Sequence, residues 1–281
     1  MDSSLRPAAV SEVNGKIGYA GGSLDSSDGH NFDGSITVPI SRQFGFQADA
    51  QYSRISGLDF YGGAGHLFWR NPEIGLIGLT GGYLGRSGVN TFQAGAEGEY
   101  YLGRLTFGMF AGIGSINYGN AAPFIDTNPT RFVGRVSVDW YAWDNLRLGI
   151  SYTTAFRDNL VKGELEYQTP IRGVALTAEV AAGDNNYDHW LLGIRYYFGG
   201  KKSLRERQRG DDPRSLMPQI LHGLGVYGAE YNRKGKDYVM AHPSSGNSDN
   251  FTSYGVVVTS LLNLNPLVLP PLPPPPGPMN P

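Results

Sequence analysis

Residues 188–198 of the chain are DHWLLGIRYYF, and their side chains alternate in character along the sequence. The alternate positions that start at 190 are all apolar or aromatic: Trp190, Leu192, Ile194, Tyr196 and Phe198. The positions between them include the polar side chains of His189 and Arg195. Because successive side chains of a β-strand point to opposite faces, this pattern predicts a strand with one apolar and one more polar face.

Aromatic residues stand at both ends of this apolar face, and the same spacing recurs in other predicted strands. Pairs eight positions apart are Phe44 and Tyr52, Phe92 and Tyr100, Phe132 and Trp140, and Trp190 and Phe198. Eight residues of strand extend about 26 Å, which after tilting is close to the height of the apolar band of an outer-membrane barrel. We therefore predict that these eight residues belong to the membrane girdles of a transmembrane barrel.

The composition excludes several classes of protein. Glycine accounts for 40 of the 281 residues, about twice its ordinary share of roughly 7%. The chain has no cysteine, which excludes disulfides and thiolate metal sites, and its net charge of −2 gives no basic footprint for nucleic acid. No apolar run is long enough for a membrane-spanning helix, but alternating barrel strands do not need one.

Alternation and turn residues predict twelve strands before Gly199. They cover residues 12–22, 32–41, 43–55, 58–70, 73–86, 90–102, 105–118, 131–143, 146–157, 160–169, 173–183 and 188–199. The predicted fold is all-β, a transmembrane antiparallel up-and-down β-barrel of about twelve strands with a largely irregular C-terminal tail. A fourteen-strand barrel that adds residues 224–232 and 251–262 is the alternative, since it also keeps an even number.

The connections differ between the two ends of the predicted barrel. Tight turns such as 71–73 and 144–145 follow even-numbered strands, whereas the longer polar links 23–31, 119–130 and 183–187 follow odd-numbered strands. This asymmetry is typical of periplasmic turns and extracellular loops. It places both ends of the barrel sequence on the periplasmic side.

Three regions follow from this organisation. Residues 1–11 are predicted to be an N-terminal periplasmic segment, residues 12–199 the outer-membrane β-barrel, and residues 200–281 a C-terminal periplasmic tail that is proline-rich at its end. The first residues lack the apolar core of a secretory signal, so we expect the sequence to be the mature chain with an added methionine.

Residues 12–199 resemble the porin-like outer-membrane β-barrel proteins of Gram-negative bacteria. The resemblance rests on the strand pattern, the girdles and the terminal Arg195-Tyr196-Tyr197-Phe198, which is similar to the aromatic signal read by the barrel-assembly machinery. It implies a bacterial outer-membrane location, with the lipid bilayer and that machinery as partners. The sequence departs from the pattern because 83 residues (281 minus 198) follow Phe198.

The faces opposite the girdles are predicted to line the lumen. Their charged residues are Lys16, Asp49, Glu97, Glu99, Arg131, Arg135, Asp139, Arg147, Lys162, Glu164, Glu166, Glu179 and Arg195. Charges of both signs have two explanations, and the sequence leaves both open. They form either a salt-bridge network that fills a narrow lumen or the opposed acidic and basic walls of a wet pore.

No catalytic, cofactor or metal site is predicted. None of the five histidines forms an i, i+4 pair or a His-Glu-x-x-His motif, which argues against a metal. His189 is a candidate base for a barrel hydrolase, but the sequence places no partner serine beside it. Glu97 and Glu99 have the spacing of an acid–base pair, although a contact with Arg131 or Arg135 explains them equally well.

The sequence therefore predicts no enzyme, and four hypotheses remain. The first is porin-like passive diffusion of small hydrophilic solutes through a charged lumen. The alternative is a non-conducting structural barrel that anchors the outer membrane, through its periplasmic tail, to peptidoglycan or another envelope component. The others are a barrel hydrolase and a soluble β-sandwich.

Overall fold

The computed structural model describes residues 7–119, 122, 124–199 and 201–241. Its strands are β1 Asn14–Leu24, β2 Ser27–Pro39, β3 Phe44–Ile55, β4 Leu58–Asn71, β5 Gly75–Arg86, β6 Val89–Leu102, β7 Leu105–Tyr118, β8 Thr130–Trp143, β9 Leu146–Ala155, β10 Asp158–Gln168, β11 Val174–Gly183 and β12 Asp188–Tyr197. Two helices follow, α1 Leu204–Gly210 and α2 Met217–Ala241.

The twelve strands form one closed barrel in which each strand pairs antiparallel with its sequence neighbours. Closure comes from β1 and β12, where Ile17 lies opposite Tyr196 and Tyr19 opposite Ile194. The predicted twelve-strand up-and-down barrel is confirmed. The fourteen-strand alternative is wrong because residues 224–232 belong to α2 and the ring is already closed without them.

Most connections at one end are tight hairpins. Residues Ser56 and Gly57 both have positive φ, 48° and 78°, as do Asp25 and Ser26, at 48° and 61°. Two consecutive residues with positive φ form the turn that matches the natural twist of two antiparallel strands. The long link expected over 23–31 is thus a two-residue turn, and the strands continue through most of that segment.

The two ends of the barrel are distinguished by what they carry. The loop end includes the connection 119–129, between β7 and β8, and a single 3-10 turn Asp184–Asn186, between β11 and β12. The turn end carries the start of β1 and the end of β12. By the usual orientation of such barrels, the loop end is extracellular and the turn end is periplasmic.

The part of the tail that the structure describes is largely helical and lies within the barrel, which the sequence pattern did not predict. We call residues 204–241 the plug; it comprises α1, a linker over 211–216 and α2. Contacts join α2 to β3, β4, β5, β6, β9 and β10. The expected proline-rich end, and the predicted strand over 251–262, lie outside the described residues.

The first helix closes the turn end of the barrel. Arg209 of α1 donates to the backbone oxygens of Gly103, at 2.9 Å, and Leu105, at 2.7 Å. Ser203 and Glu206 form a capping box that starts this helix. The hydrogen bond from the Ser203 backbone, followed by that from its hydroxyl, lowers the pKa of the Glu206 carboxyl.

The second helix crosses the lumen toward the loop end. Its early residue Met217 approaches the inward side of β4 at Gly62. Further along, Tyr227 donates to the backbone oxygen of Asp126 in the 119–129 connection. Arg233 donates to Asn185 in the 3-10 turn, at 2.8 Å. The described chain therefore leaves the lumen at the loop end.

Glycine allows this helix to pass close to the barrel wall. A Cβ at Gly225 would lie 2.7 Å from the hydroxyl of Tyr187, and one at Gly223 would lie 3.0 Å from Nε2 of Gln93. Glycine weakens an isolated helix by about 1 kcal/mol relative to alanine. The helical form of α2 thus depends on packing inside the barrel.

Candidate functional site

The outer surface of the barrel carries aromatic rows at two levels. At the level nearer the loop end, Tyr19 stacks near Phe32, Phe32 near Tyr52 and Tyr52 near Tyr61, with ring centroids 4.8–6.1 Å apart. The order of the rings follows the strand register, in which these four residues lie side by side. Such a row of amphipathic rings is what the interface of a bilayer favours.

The eight predicted girdle residues all lie on the outward faces of their strands. Phe44, Tyr100, Trp140 and Phe198 are nearer the turn end, and Tyr52, Phe92, Phe132 and Trp190 are nearer the loop end. Seven of them are exposed on the outside, and Tyr52 is half-buried between its neighbours. Their contact with lipid headgroups stays a prediction.

Between the two rows the outer surface is apolar. Ile17, Leu79, Met109, Val136 and Leu192 are each 54–66% exposed. Exposure of this kind around a whole barrel would cost a protein in water a large free energy, whereas lipid covers it. Among the described residues, no helix is long and apolar enough to cross a membrane.

The lumen has two parts of different chemistry. The charged half, nearer the turn end, carries Lys16, Asp49, His66, Glu97, Glu99, Arg135, Asp139, Arg147, Glu164, Glu166 and Arg195. The apolar half, nearer the loop end, carries Leu24, Ile55, Phe60, Leu84, Val89, Ile116, Tyr118, Val133, Phe156 and Leu191. Both sets point inward, and six strands, β1, β3, β4, β6, β8 and β12, contribute residues to both.

Arg147 is the centre of the ion-pair network in the charged half. Its guanidinium lies 3.0 Å from Asp139, 3.3 Å from Glu166 and 3.8 Å from Glu164. Arg195 reaches the other oxygen of Glu166, at 3.2 Å. Because several donors converge on each carboxylate, these buried charges are compensated across neighbouring strands.

A histidine bridges two carboxylates on the opposite wall. His66 Nε2 lies 3.0 Å from Asp49 Oδ2, and His66 Nδ1 lies 2.9 Å from Glu97 Oε1. All three side chains are buried. The sequence left the direction of His66 open, and the structure points it into the lumen.

The plug completes this network. Arg214, in the linker, pairs with Asp139 and lies 3.0 Å from Glu164. Asp212 lies 3.9 Å from Lys16 Nζ and accepts from the Thr37 hydroxyl at 3.2 Å. The plug therefore adds a cation, Arg214, beside Asp139 and Glu164 and an anion, Asp212, beside Lys16.

Most of the predicted lumen residues meet in one place. A cavity of about 90 Å³ between wall and plug is lined by nine of them: Lys16, Glu99, Arg135, Asp139, Arg147, Lys162, Glu164, Glu166 and Arg195. A second cavity of about 80 Å³ borders Glu179. Each has room for a few water molecules. With α2 in place, the described lumen is closer to a salt-bridge network that fills a narrow lumen than to a wet pore with opposed charged walls.

Arg131 is placed differently from the expectation. It pairs with Asp126 of the 119–129 connection at 3.3 Å, and its side chain is 37% exposed at the loop end. The expected contact with Glu97 or Glu99 is replaced, because Glu97 binds His66 and Glu99 accepts from the Tyr101 hydroxyl at 2.8 Å. The acid–base interpretation of the two glutamates gains no support from this geometry.

Sequence reasoning missed the plug, although a signal was present. The apolar half consists of large apolar side chains on the same faces as the lumen charges, and such side chains require an apolar partner. That partner is the inner surface of α2, which buries Met217, Ile220, Leu221, Leu224, Tyr227 and Tyr231. The inward apolar residues therefore indicated a filled lumen.

His189, the candidate hydrolase base, has other partners. Its ring lies 3.1 Å from the Tyr187 hydroxyl and 2.9 Å from Glu179 Oε1. Within the described part of the chain, the hydrogen-bond and ion-pair partners of this ring include no serine. The barrel-hydrolase hypothesis therefore finds no nucleophile at this position.

Comparison with solved structures shows the same fold in a porin. The KdgM porin in complex with disordered oligogalacturonate matches at a TM-score of 0.50 and 13% identity, over 66% of this chain and 99% of that one. Omp33 of Acinetobacter baumannii matches over 66% and 99% (16% identity, TM-score 0.45), and an outer-membrane channel of Pseudomonas putida F1 over 70% and 99% (11%, 0.47). No protein-family model matches the chain, and no curated protein matches it.

These findings define the class of protein. A closed antiparallel barrel with an apolar outer surface and the fold of the KdgM porin is a porin-like β-barrel protein of the bacterial outer membrane. The soluble-sandwich hypothesis is wrong, because the apolar side of β12 faces outward and the strands close into a ring.

Proposed function

We propose that the protein is a porin-like channel for small hydrophilic solutes that its own C-terminal helix holds closed. The observation that carries this proposal is the position of α2, whose Met217, Ile220 and Leu224 are buried inside the barrel. A twelve-strand barrel is wide enough to hold a helix and is therefore wide enough to conduct when the helix leaves. The partners of this function are the lipid bilayer and the barrel-assembly machinery.

The chemistry of the wall supports a conducting state. The charged half combines carboxylates and guanidinium groups on facing strands, as in Arg147 and Glu166. If the plug moves, Asp139 and Glu164 lose Arg214 and keep only their wall partners, Arg147 and Lys162. A cation-selective pore is expected, because the charged half named above has six carboxylates against four lysine and arginine side chains, and an excess of carboxylates attracts cations.

A reversible lock tests whether α2 is the gate. A Cβ at Gly223 would lie 3.4 Å from Cβ of Ala155 on the wall, close to the separation of about 3.5–4.5 Å in a disulfide. The chain has no other cysteine, so Gly223→Cys with Ala155→Cys forms one defined bond. In planar bilayers, the oxidised protein should be silent and a reductant should restore the openings of the unlocked protein.

Two comparisons complete this experiment. A chain that ends at residue 202 retains all twelve strands and should give frequent, discrete current steps. Heat-modifiable gel mobility verifies that each variant forms a barrel. Openings of equal frequency in the oxidised and reduced double variant would rule out α2 as the gate. A silent 1–202 barrel would count against the channel itself.

The alternative function is a non-conducting barrel that anchors the envelope through a periplasmic tail. The filled lumen agrees with a non-conducting barrel. The direction of α2 argues against a periplasmic anchor, because the helix ends at the loop end. Single cysteines in place of Met240 and Arg205 distinguish the closed channel from the anchor. If the channel proposal holds, a membrane-impermeant maleimide on intact cells should label Met240→Cys and leave Arg205→Cys unlabelled. The reverse pattern would favour the anchor.

A further inference from the structure

Three side chains from three elements converge where α2 meets the wall. Glu179 lies on β11, His189 on β12 and His222 on α2. Glu179 Oε1 is 2.9 Å from His189 Nε2 and 3.0 Å from His222 Nε2. The three donor atoms all lie within 4.8 Å of one another. Two imidazole nitrogens and a carboxylate oxygen around one point are a donor set that Zn²⁺ uses in proteins.

Neighbouring residues orient these donors. The hydroxyl of Tyr187 lies 3.1 Å from His189 Nδ1 and holds the ring so that Nε2 faces Glu179. Lys162 Nζ lies 2.9 Å from Glu179 Oε2, which leaves the other oxygen turned to the two histidines. Contacts of this kind fix the tautomer and direction of ligands in metal sites.

The surroundings of the cluster also suit an ion. The side chains of His189 and His222 are buried, and their rings stack with centroids 4.5 Å apart. The cavity of about 80 Å³ is lined by Glu179 and His222, so a water molecule has room to take the fourth position of a tetrahedral ion.

The other buried histidine among the described residues does not have this geometry. His66 turns its two nitrogens to two separate carboxylates, those of Asp49 and Glu97. The two carboxylates therefore lie on opposite sides of the ring and do not share a common centre with it. The Glu179 cluster differs because both Nε2 atoms approach the same carboxylate oxygen.

We propose that Glu179, His189 and His222 bind a divalent transition-metal ion, with Zn²⁺ the best match to the donors, and that the ion clamps α2 to the barrel wall. Two donors belong to the wall and one to the plug, so the complete site exists only when the plug is docked. An ion that binds only the docked form stabilises that form by mass action.

Metal titration of the full-length protein in detergent tests the site. After removal of bound metal by a chelator, Zn²⁺ should bind by calorimetry at one ion per chain, and Co²⁺ should give the visible absorption of four-coordinate cobalt. Tyr187→Phe should weaken binding about 10–100-fold, the usual effect of losing a supporting contact. His189→Gln, His222→Gln and Glu179→Gln should weaken it further.

His30→Gln is the matched control, because His30 is exposed and contacts Tyr19 rather than the cluster. Heat-modifiable mobility verifies that each variant has folded. The site would be overturned if the full chain bound no zinc. It would also be overturned if the His189 and His222 variants bound zinc as tightly as the parent chain. The titration does not depend on conductance, so its result is independent of the proposed channel.

Limited proteolysis tests the clamp. Zn²⁺ should slow cleavage within residues 204–241 of the parent chain and leave cleavage unchanged in His222→Gln. The clamp would be overturned if the parent chain bound zinc but was protected from cleavage no more than His222→Gln.

Discussion

The charged and apolar halves of the lumen hold the same plug by different means. In the charged half, Arg214 meets Asp139 and Glu164, so the contact is directional and its gain is offset by the desolvation of all three groups. In the apolar half, Leu224 and its neighbours bury area that stabilises in proportion to its size, at about 25 cal/mol per Å².

The difference indicates what each half would do without the helix. A wall of ion-paired side chains can be wetted, and the charged half would become an aqueous channel. A wall that includes Phe60, Leu84 and Ile116 would expose large apolar groups to water. The apolar half therefore favours the closed state, and the charged half sets the position of the linker within it.

The largest effect is expected from Arg214→Ala. This change removes Arg214 from two carboxylates, Asp139 and Glu164, and leaves them only Arg147 and Lys162. Loss of one partner of a buried ion pair costs up to about 3–5 kcal/mol. The cost falls on the docked plug, because the wall itself is unchanged. Proteolysis within residues 204–241 should accelerate and channel openings should become more frequent, while the heat-modifiable mobility of the barrel is retained. An unchanged rate of cleavage would mean that the linker is held by other contacts.

A somewhat smaller effect is expected from Leu224→Ala in the apolar half. Truncation of a buried leucine costs about 2–5 kcal/mol, according to how far the site collapses. Cleavage of the plug measures the loss. If the halves act independently, the effects of Arg214→Ala and Leu224→Ala on the free energy of docking should add within about 0.5 kcal/mol. A larger deviation would show that the halves dock as one unit.

The barrel wall and the plug also differ in how far the sequence predicted them. Strand alternation is local, so the girdle pair Trp190 and Phe198 and the lumen charge Arg147 could be placed from the sequence. The inward apolar residues indicated that the lumen is filled, but the helical form of the plug could not be predicted, because Gly223 and Gly225 lower the helix propensity of a segment that packs against the wall. The ion-pair partners depend on strand register and on the linker, which spacing alone does not determine.

Gly225→Ala should have a smaller effect and tests the fit of α2 against the wall. The new Cβ would lie 2.7–2.9 Å from the ring and hydroxyl of Tyr187, which is almost fully buried. Overpacking costs about 1–3 kcal/mol, and the gain in helix propensity offsets about 1 kcal/mol of it. We expect a net loss of about 1 kcal/mol in plug docking, measured by the same cleavage assay.

Gly210→Ala is the control for this substitution, because a Cβ there would meet no atom within 4 Å. It should leave plug docking unchanged or slightly improved. If Gly210→Ala weakened plug docking as much as Gly225→Ala, the glycines would matter for the flexibility of the plug. The close approach of Gly225 to Tyr187 would then not explain the effect.

The smallest effect is expected from Arg233→Ala, near the end of α2. Arg233 pairs with Asp237 at 3.5 Å, but the two side chains are 49% and 59% exposed, and its bond to Asn185 is also at the surface. Exposed pairs contribute about 0–1 kcal/mol because water and salt screen them. Plug cleavage and channel opening should both stay close to those of the parent chain. If Arg233→Ala instead released the plug as readily as Arg214→Ala does, the contacts at the loop end would control the gate. The contrast between a buried charged half and an apolar half would then no longer explain how the helix is held.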